Sequence, residues 1–167
     1  MQIRDATRTD VASINHLYNV LIPTTTIAWT EDITPLVEHE RWFADQQQDG
    51  NPVVVADDAG DVVGYATYGD FRDTKKWPGY RFVSELTIHV SEPHWGRGIG
   101  QMLLEELIVR ARTGGKHVLV AGIDAENEAS IRLHEKLGFV VTGRLPEVGR
   151  KFDRWLDLVY LQLALDP

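Results

Sequence analysis

Cysteine is absent from this chain of 167 residues. Its absence excludes a disulfide framework, a thiol nucleophile and cysteine-based metal sites. No apolar stretch approaches the roughly 18 residues of a membrane-spanning helix. The opening residues MQIRDATRTD lack an apolar signal core, so cytoplasmic residence is expected. Positive charge is scarce: 17 Lys and Arg stand against 25 Asp and Glu, a formal net charge of −8. No basic cluster or basic helix interrupts that balance, so neither nucleic acid nor an anionic membrane is an expected partner. The six histidines show no HExxH or other close ligand spacing, and no metal is implied. There is no internal repeat and no low-complexity linker. The length suits one domain, residues 1–167, around one core.

The densest signal lies between Glu85 and Arg112: a strand-like ELTIHV, then HWGRGIG, then the helical run QMLLEELIVRAR. Glycines 96, 98 and 100 fall between a strand and the first turn of a helix, where backbone N–H groups lack intrahelical partners and can face an anion. Glycine there permits positive φ and close approach of a diphosphate. A Walker loop requires Lys then Ser or Thr after the last glycine, but Gln101 and Met102 follow Gly100. The dinucleotide fingerprint fails as well, because Gly98 and Gly100 are only two apart. A glycine-rich turn that holds no ligand is the alternative reading of these residues.

Alternating elements surround this loop. IRDA reads as a strand, and Ile14, Leu17, Tyr18 and Leu21 recur at helical spacing. Thr34-Pro35 reads as an N-cap followed by proline at the first helical position, opening a helix with Leu36, Glu40 and Phe43 that stops near Gly50-Asn51-Pro52. Pro23 to Ile33 has no period and is the candidate pocket-shaping loop. VVVAD and VVGYATYGD flank a hairpin signal at Asp58 to Asp61. FVSELTIHV is a long central strand. The helix after the glycines sets Ile99, Leu103, Leu107 and Ala111 on one face and ends at Gly114-Gly115. VLVAGI is a strand, NEASIRLHEKLGF a helix closed by Gly138, and FVVTGRL and WLDLVYLQLAL are the closing strands. The expected class is α/β, a mixed sheet with helices on both faces.

The loop Trp95-Gly96-Arg97-Gly98-Ile99-Gly100 is similar to the pyrophosphate loop of the Gcn5-related N-acetyltransferases. The blocks IRDAT, TTTIAW, GYATYGDFR, GKHVLVAGI, ASIRLHEKLGF and GRKFDRWLDLVYLQLAL resemble, in order along nearly the whole chain, the phosphinothricin and methionine sulfoximine branch of that family. The resemblance implies the GNAT fold, a twisted mixed sheet whose central strands splay to hold acetyl-CoA. It implies cofactor contacts from Ile88, His89 and Val90, with the Val90 N–H donating to the thioester carbonyl, and from Gly96, Arg97, Gly98, Ile99, Gly100 and Gln101. Pro93, which lacks a donor, is expected to help that strand diverge from its neighbour.

Acetyl transfer to an amine needs an unprotonated nitrogen, a polarised carbonyl and a proton for the departing thiolate. Glu85 coincides with the family's position for the general base. Its alternative is an ordinary strand carboxylate facing solvent or paired with an arginine. Asn127, by the same resemblance, contacts the cofactor arm, and it also suits a helix cap. His134 stands where the family often carries a tyrosine near the sulfur as general acid, a role an imidazolium can fill. It too has a structural alternative. For the acceptor, Arg72 and Arg81 flank the 73–80 loop and suit a carboxylate or phosphinate, or else a surface ion pair. Trp29, Phe71 and Tyr80 are the candidate walls, and Lys151 is a third candidate cation.

Three departures from the branch pattern stand out. Leu86 replaces a histidine often found beside the glutamate, Trp95 replaces the loop glutamine, and the 73–79 loop is longer. The expected activity is a direct ternary-complex transfer of acetyl from acetyl-CoA to a small amino-acid-like amine of the phosphinothricin, methionine sulfoximine or methionine sulfone type. A non-catalytic acyl-CoA-binding module and a protein N-terminal or lysine acetyltransferase are the alternatives. The long Trp77-Pro78 loop favours a covered pocket over a peptide groove. WLDLVYLQLAL, read as a hydrophobic edge strand, points to a homodimer; read as an interior strand, it does not.

Overall fold

The computed structural model of the chain describes residues 1–165. The architecture is mixed α/β, as the sequence suggests. Strands β1 (Gln2–Asp5), β2 (Val53–Asp58), β3 (Asp61–Asp70), β4 (Val83–Val90), β5 (Val118–Asp124), β6 (Val140–Lys151) and β7 (Arg154–Ala164) make one sheet in the order β1-β2-β3-β4-β5-β7-β6. The helices are α1 (Val11–Leu21), α2 (Leu36–Gln48), α3 (Ile99–Thr113) and α4 (Glu128–Lys136). The chain divides into two compact units. The first is Met1–Tyr68 with Thr87–Leu107; the second, among the described residues, is Gly69–Leu86 with 108–165. β3, β4 and α3 each contribute residues to both.

In the first unit, Ile14, Leu17 and Leu21 of α1 pack with Phe43 of α2 and with Val53, Val55 and Tyr65 of the antiparallel β2–β3 pair. These α1 positions follow the helical period of the sequence, which is why one face of that helix is apolar throughout. The hairpin turn is Ala59-Gly60 at φ 58° and 102°, the two positive values of the tight turn that matches strand twist. β3 and β4 come together at Gly64, where an added Cβ would meet the His89 carbonyl oxygen at 3.1 Å.

One local expectation is corrected here. Helix α2 begins at Leu36, and the capping position belongs to Pro35, not Thr34; the Pro35 carbonyl accepts from Glu38 N–H at 3.0 Å. Thr34 is instead held by α1, whose Asn19 side chain accepts its N–H and donates back to its carbonyl, both at 2.9 Å. The inward face of α2 carries His39 and Phe43, while Leu36 is exposed. Pro93 lies just beyond β4, in a 3-10 turn spanning Glu92–His94.

In the second unit, β5 runs parallel to β4, with Glu85 opposite Val120, and antiparallel to β7. β7 in turn pairs with β6. WLDLVYLQLAL is therefore interior, and the expectation of an apolar edge there is corrected: the edge on this side is β6. That strand also runs further than FVVTGRL, reaching Lys151 and a Phe152-Asp153 turn at φ 52° and 56°. Its pairing is interrupted between Leu145 and Gly149, where Pro146 lacks a ladder donor and the Glu147 N–H turns to the Asp157 carboxylate at 2.9 Å.

Candidate active site

In the first unit, β4 leads through the 3-10 turn into the glycine loop. Gly96 and Gly98 sit at φ +73° and +81°, values that carry a steric cost for residues with a Cβ. Nothing lies within 4 Å of a Cβ placed at either glycine. The glycines are thus required by backbone conformation, and the space beside them is open. The Gly98 carbonyl accepts from Met102 N–H at 3.1 Å and opens α3, so Ile99, Gly100 and Gln101 form the helix's first turn. Their N–H groups emerge at the loop, the geometry that suits phosphate oxygens. Ile99 is buried and anchors this turn, while Arg97 is exposed beside it. The residues present fit the diphosphate end of a CoA-type ligand.

Trp95, the departure from the branch pattern, donates its indole N–H to the Val90 carbonyl at 2.7 Å and so braces the exit of β4. Ile88 and Val90 are half-buried, and the His89 side chain is buried. Trp29 is half-buried in the irregular segment between α1 and α2.

In the second unit, Glu85 is half-buried on β4, and burial raises its carboxyl pKa while the positive charge of Arg72 opposes the rise. Arg72 lies over the Phe71 ring, 4.4 Å from its centroid. Phe71 in turn contacts Tyr80 at 6.0 Å and Tyr160 at 6.4 Å between centroids. Phe71, Arg72, Tyr80 and Glu85 therefore belong to one neighbourhood. Arg81 is turned differently: its guanidinium lies 4.3 Å over Phe82 and donates to the Pro78 carbonyl at 3.0 Å. Lys151 is buried, with Nζ 4.9 Å from the Phe152 centroid. Leu86, on the strand face opposite Glu85, is buried as well.

One participant carried no signal in the sequence. An added Cβ at Gly122 of β5 would stand 3.2 Å from Glu85 Oε1. The glycine is thus the floor under this carboxylate. Nothing in VLVAGI marks it, because its meaning comes from a neighbouring strand.

Asn127 caps α4, accepting the Ser130 N–H on its side-chain oxygen at 3.1 Å. His134 is buried edge-on to Phe139, at 5.1 Å and 83°. Its Nδ1 donates to the Ser130 carbonyl at 2.8 Å, and burial pushes its pKa down. The neutral ring therefore carries its proton on Nδ1. Nε2 is a buried acceptor without a hydrogen-bond partner among the described residues. An acid role for His134 requires the imidazolium form, which burial opposes. Among the described residues, no group of three or more His, Cys, Asp or Glu is placed to hold a metal ion.

The chain is similar to known proteins along nearly its whole length. The family model described as Acetyltransferase (GNAT) family matches residues 14–139. An L-methionine sulfoximine/L-methionine sulfone acetyltransferase of Pseudomonas aeruginosa is 45% identical over 166 residues, 99% of this chain and 95% of that protein. A phosphinothricin N-acetyltransferase of Streptomyces coelicolor is 36% identical over 169 residues, 99% of this chain and 96% of that protein. The solved structure of yncA from Salmonella typhimurium with its cofactor acetyl-CoA superposes with a TM-score of 0.96 at 44% identity, covering 100% of this chain and 95% of that one.

Proposed function

The chain belongs to the acetyltransferase (GNAT) family, and from that premise we propose that it acetylates the α-amino group of a small L-amino acid of the methionine sulfone, methionine sulfoximine or phosphinothricin type. It is an acetyl-CoA-dependent N-acetyltransferase. The observation that carries the narrower reading is the half-buried Glu85 carboxyl, of raised pKa, beside Arg72, Phe71 and Tyr80 on the strand that runs into the glycine loop.

Acetyl-CoA supplies the acyl group as a thioester. Glu85 takes a proton from the substrate ammonium, directly or through one water, and the freed nitrogen pair attacks the acyl carbon as the C–S bond breaks. The nitrogen loses two protons overall; one ends on the departing thiol and the other leaves through Glu85. Arg72 suits the acceptor's carboxylate or its oxidised sulfur or phosphorus group, and Phe71 and Tyr80 suit its apolar stem. Asn127 Nδ2 remains to donate outward from the α4 cap. Absence of cysteine favours direct transfer over an acyl-enzyme. Initial velocities at varied concentrations of both substrates are expected to give intersecting lines; a parallel pattern overturns direct transfer.

Gly98→Ala tests the loop. Alanine at φ +81° costs about 1–2 kcal/mol of backbone strain. We expect KM for acetyl-CoA to rise about tenfold, the equivalent of roughly 1.4 kcal/mol, while kcat changes less. An unchanged KM would take the loop out of cofactor binding. The reading also includes cytoplasmic residence and a homodimer. Exposed Val140, Val141, Leu145 and Val148 on the edge strand β6 support the homodimer.

A further inference from the structure

Tyr160 of β7 has a cross-strand partner on each side, and both are glycines: Gly122 of β5 and Gly143 of β6. Residues directly opposite one another in antiparallel strands project from the same face of the sheet, so the Tyr160 ring stands between two positions that carry no side chain. The two gaps differ. A Cβ at Gly122 would stand 3.2 Å from Glu85 Oε1 and 3.5 Å from Tyr160 Cε1, so the carboxylate and the ring border the first gap together. A Cβ at Gly143 would meet nothing within 4 Å, so the second gap is open. Neither glycine has a positive φ. Backbone conformation therefore does not call for them, and what both supply is room beside the ring.

Two further observations place this ring in the surroundings of the acceptor. Its edge meets Phe71 at 6.4 Å and 79°, and the other side of that contact is Arg72, 4.4 Å from the Phe71 centroid. Tyr160 is also half-buried, and its hydroxyl makes no hydrogen bond among the described residues, whereas its backbone carbonyl accepts from Thr142 Oγ1 at 3.4 Å. A phenol in that state has its proton to donate. A plain apolar wall needs only the ring.

We propose that Tyr160 determines acceptor specificity: its hydroxyl donates a hydrogen bond to the oxygen on the acceptor's oxidised sulfur or phosphorus while the acceptor's ammonium is at Glu85. This assignment rests on the reading of Glu85 and Arg72 as parts of an amino-acid site. With the side-chain oxygen on Tyr160, Arg72 is left for the α-carboxylate, and the acceptor is held at three points. Methionine offers only a thioether at that place, and a thioether is a weak acceptor. A site that places a polar group for a substrate oxygen discriminates against the analogue that lacks it.

The test compares kcat/KM for L-methionine sulfone and L-methionine in wild type and Tyr160→Phe, with calorimetry of the same two amino acids on the CoA-bound protein. Phenylalanine keeps the ring against Phe71 and removes only the hydroxyl. We expect wild type to favour the sulfone by about tenfold or more, and Tyr160→Phe to lower that ratio about tenfold by loss on the sulfone alone, with KM for acetyl-CoA unchanged. A wild type with no sulfone preference, a preference that survives in the variant, or an equal loss on both amino acids overturns the proposal and leaves the transfer reading intact. Thiol release with no amine at all overturns the transfer reading instead, and calorimetry then decides for Tyr160. Sulfone binding that exceeds methionine binding and depends on the hydroxyl upholds the assignment; any other binding result overturns it.

Discussion

Glu85→Gln is expected to lower kcat by about a hundredfold or more, in the range of 10²–10⁴ attributed to general acid–base catalysis. Glutamine keeps the shape of the side chain and cannot take the proton. The wild-type acid limb of kcat/KM is expected above the ordinary carboxylate range, because burial raises the Glu85 pKa. Arg72 favours the ionised form, so Arg72→Gln should move that limb to still higher pH. The stability effect has the opposite sense to the activity effect. A carboxyl whose folded pKa is raised costs stability once pH exceeds its unfolded pKa, since the unfolded chain ionises more readily. Glu85→Gln should therefore melt no lower than wild type at neutral pH, which separates lost chemistry from lost fold. A variant with wild-type kcat, or with a lowered melting temperature that accounts for the loss, contradicts the assignment.

Gly122→Val carries the second large effect. Its Cβ would stand 3.2 Å from Glu85 Oε1 and 3.5 Å from both Leu158 Cδ1 and Tyr160 Cε1. The nearest of these atoms is the end of a flexible side chain, so the carboxylate gives way first. The two valine methyls then occupy the space the carboxylate holds. A misplacement of about 1 Å at a reacting group can cost about a hundredfold in rate. We expect kcat/KM to fall by roughly that factor, and Gly122→Ala to cost about tenfold. Gly122 has no positive φ, and valine suits a strand, so the variant should fold. Acetyl-CoA affinity should be unchanged. Unimpaired turnover in Gly122→Val would show that the Glu85 carboxylate can work from another position.

Much of this arrangement was legible in the residues. The apolar face Ile99, Leu103, Leu107 and Ala111 fixed α3, and all four are buried. The glycine spacing located a loop whose positive φ values fall at Gly96 and Gly98. Asn127 was readable as a cap because its side chain acts on its own helix. What escaped depends on partners distant in sequence. The interior place of β7 is set by which strands pair, and pairing order has no local signature. Gly122 matters only through Glu85. Arg81 borders the same loop as Arg72, and its stacking on Phe82 and bond to the Pro78 carbonyl have no local signature in the sequence. The protonation of His134 follows from burial and from the Ser130 carbonyl.

The central claim is acceptor-dependent acetyl transfer to a small L-amino acid with Glu85 as base. Free-thiol release from acetyl-CoA tests it most directly, measured for wild type and Glu85→Gln against L-methionine sulfone, L-methionine sulfoximine, phosphinothricin, free lysine and a peptide with an unblocked N-terminus. The account predicts acceptor-dependent release with one or more of the first three in wild type, little with the peptide, and loss in the variant with acetyl-CoA binding retained. Tight acetyl-CoA binding with no amine consumed, or turnover confined to the peptide, would contradict it.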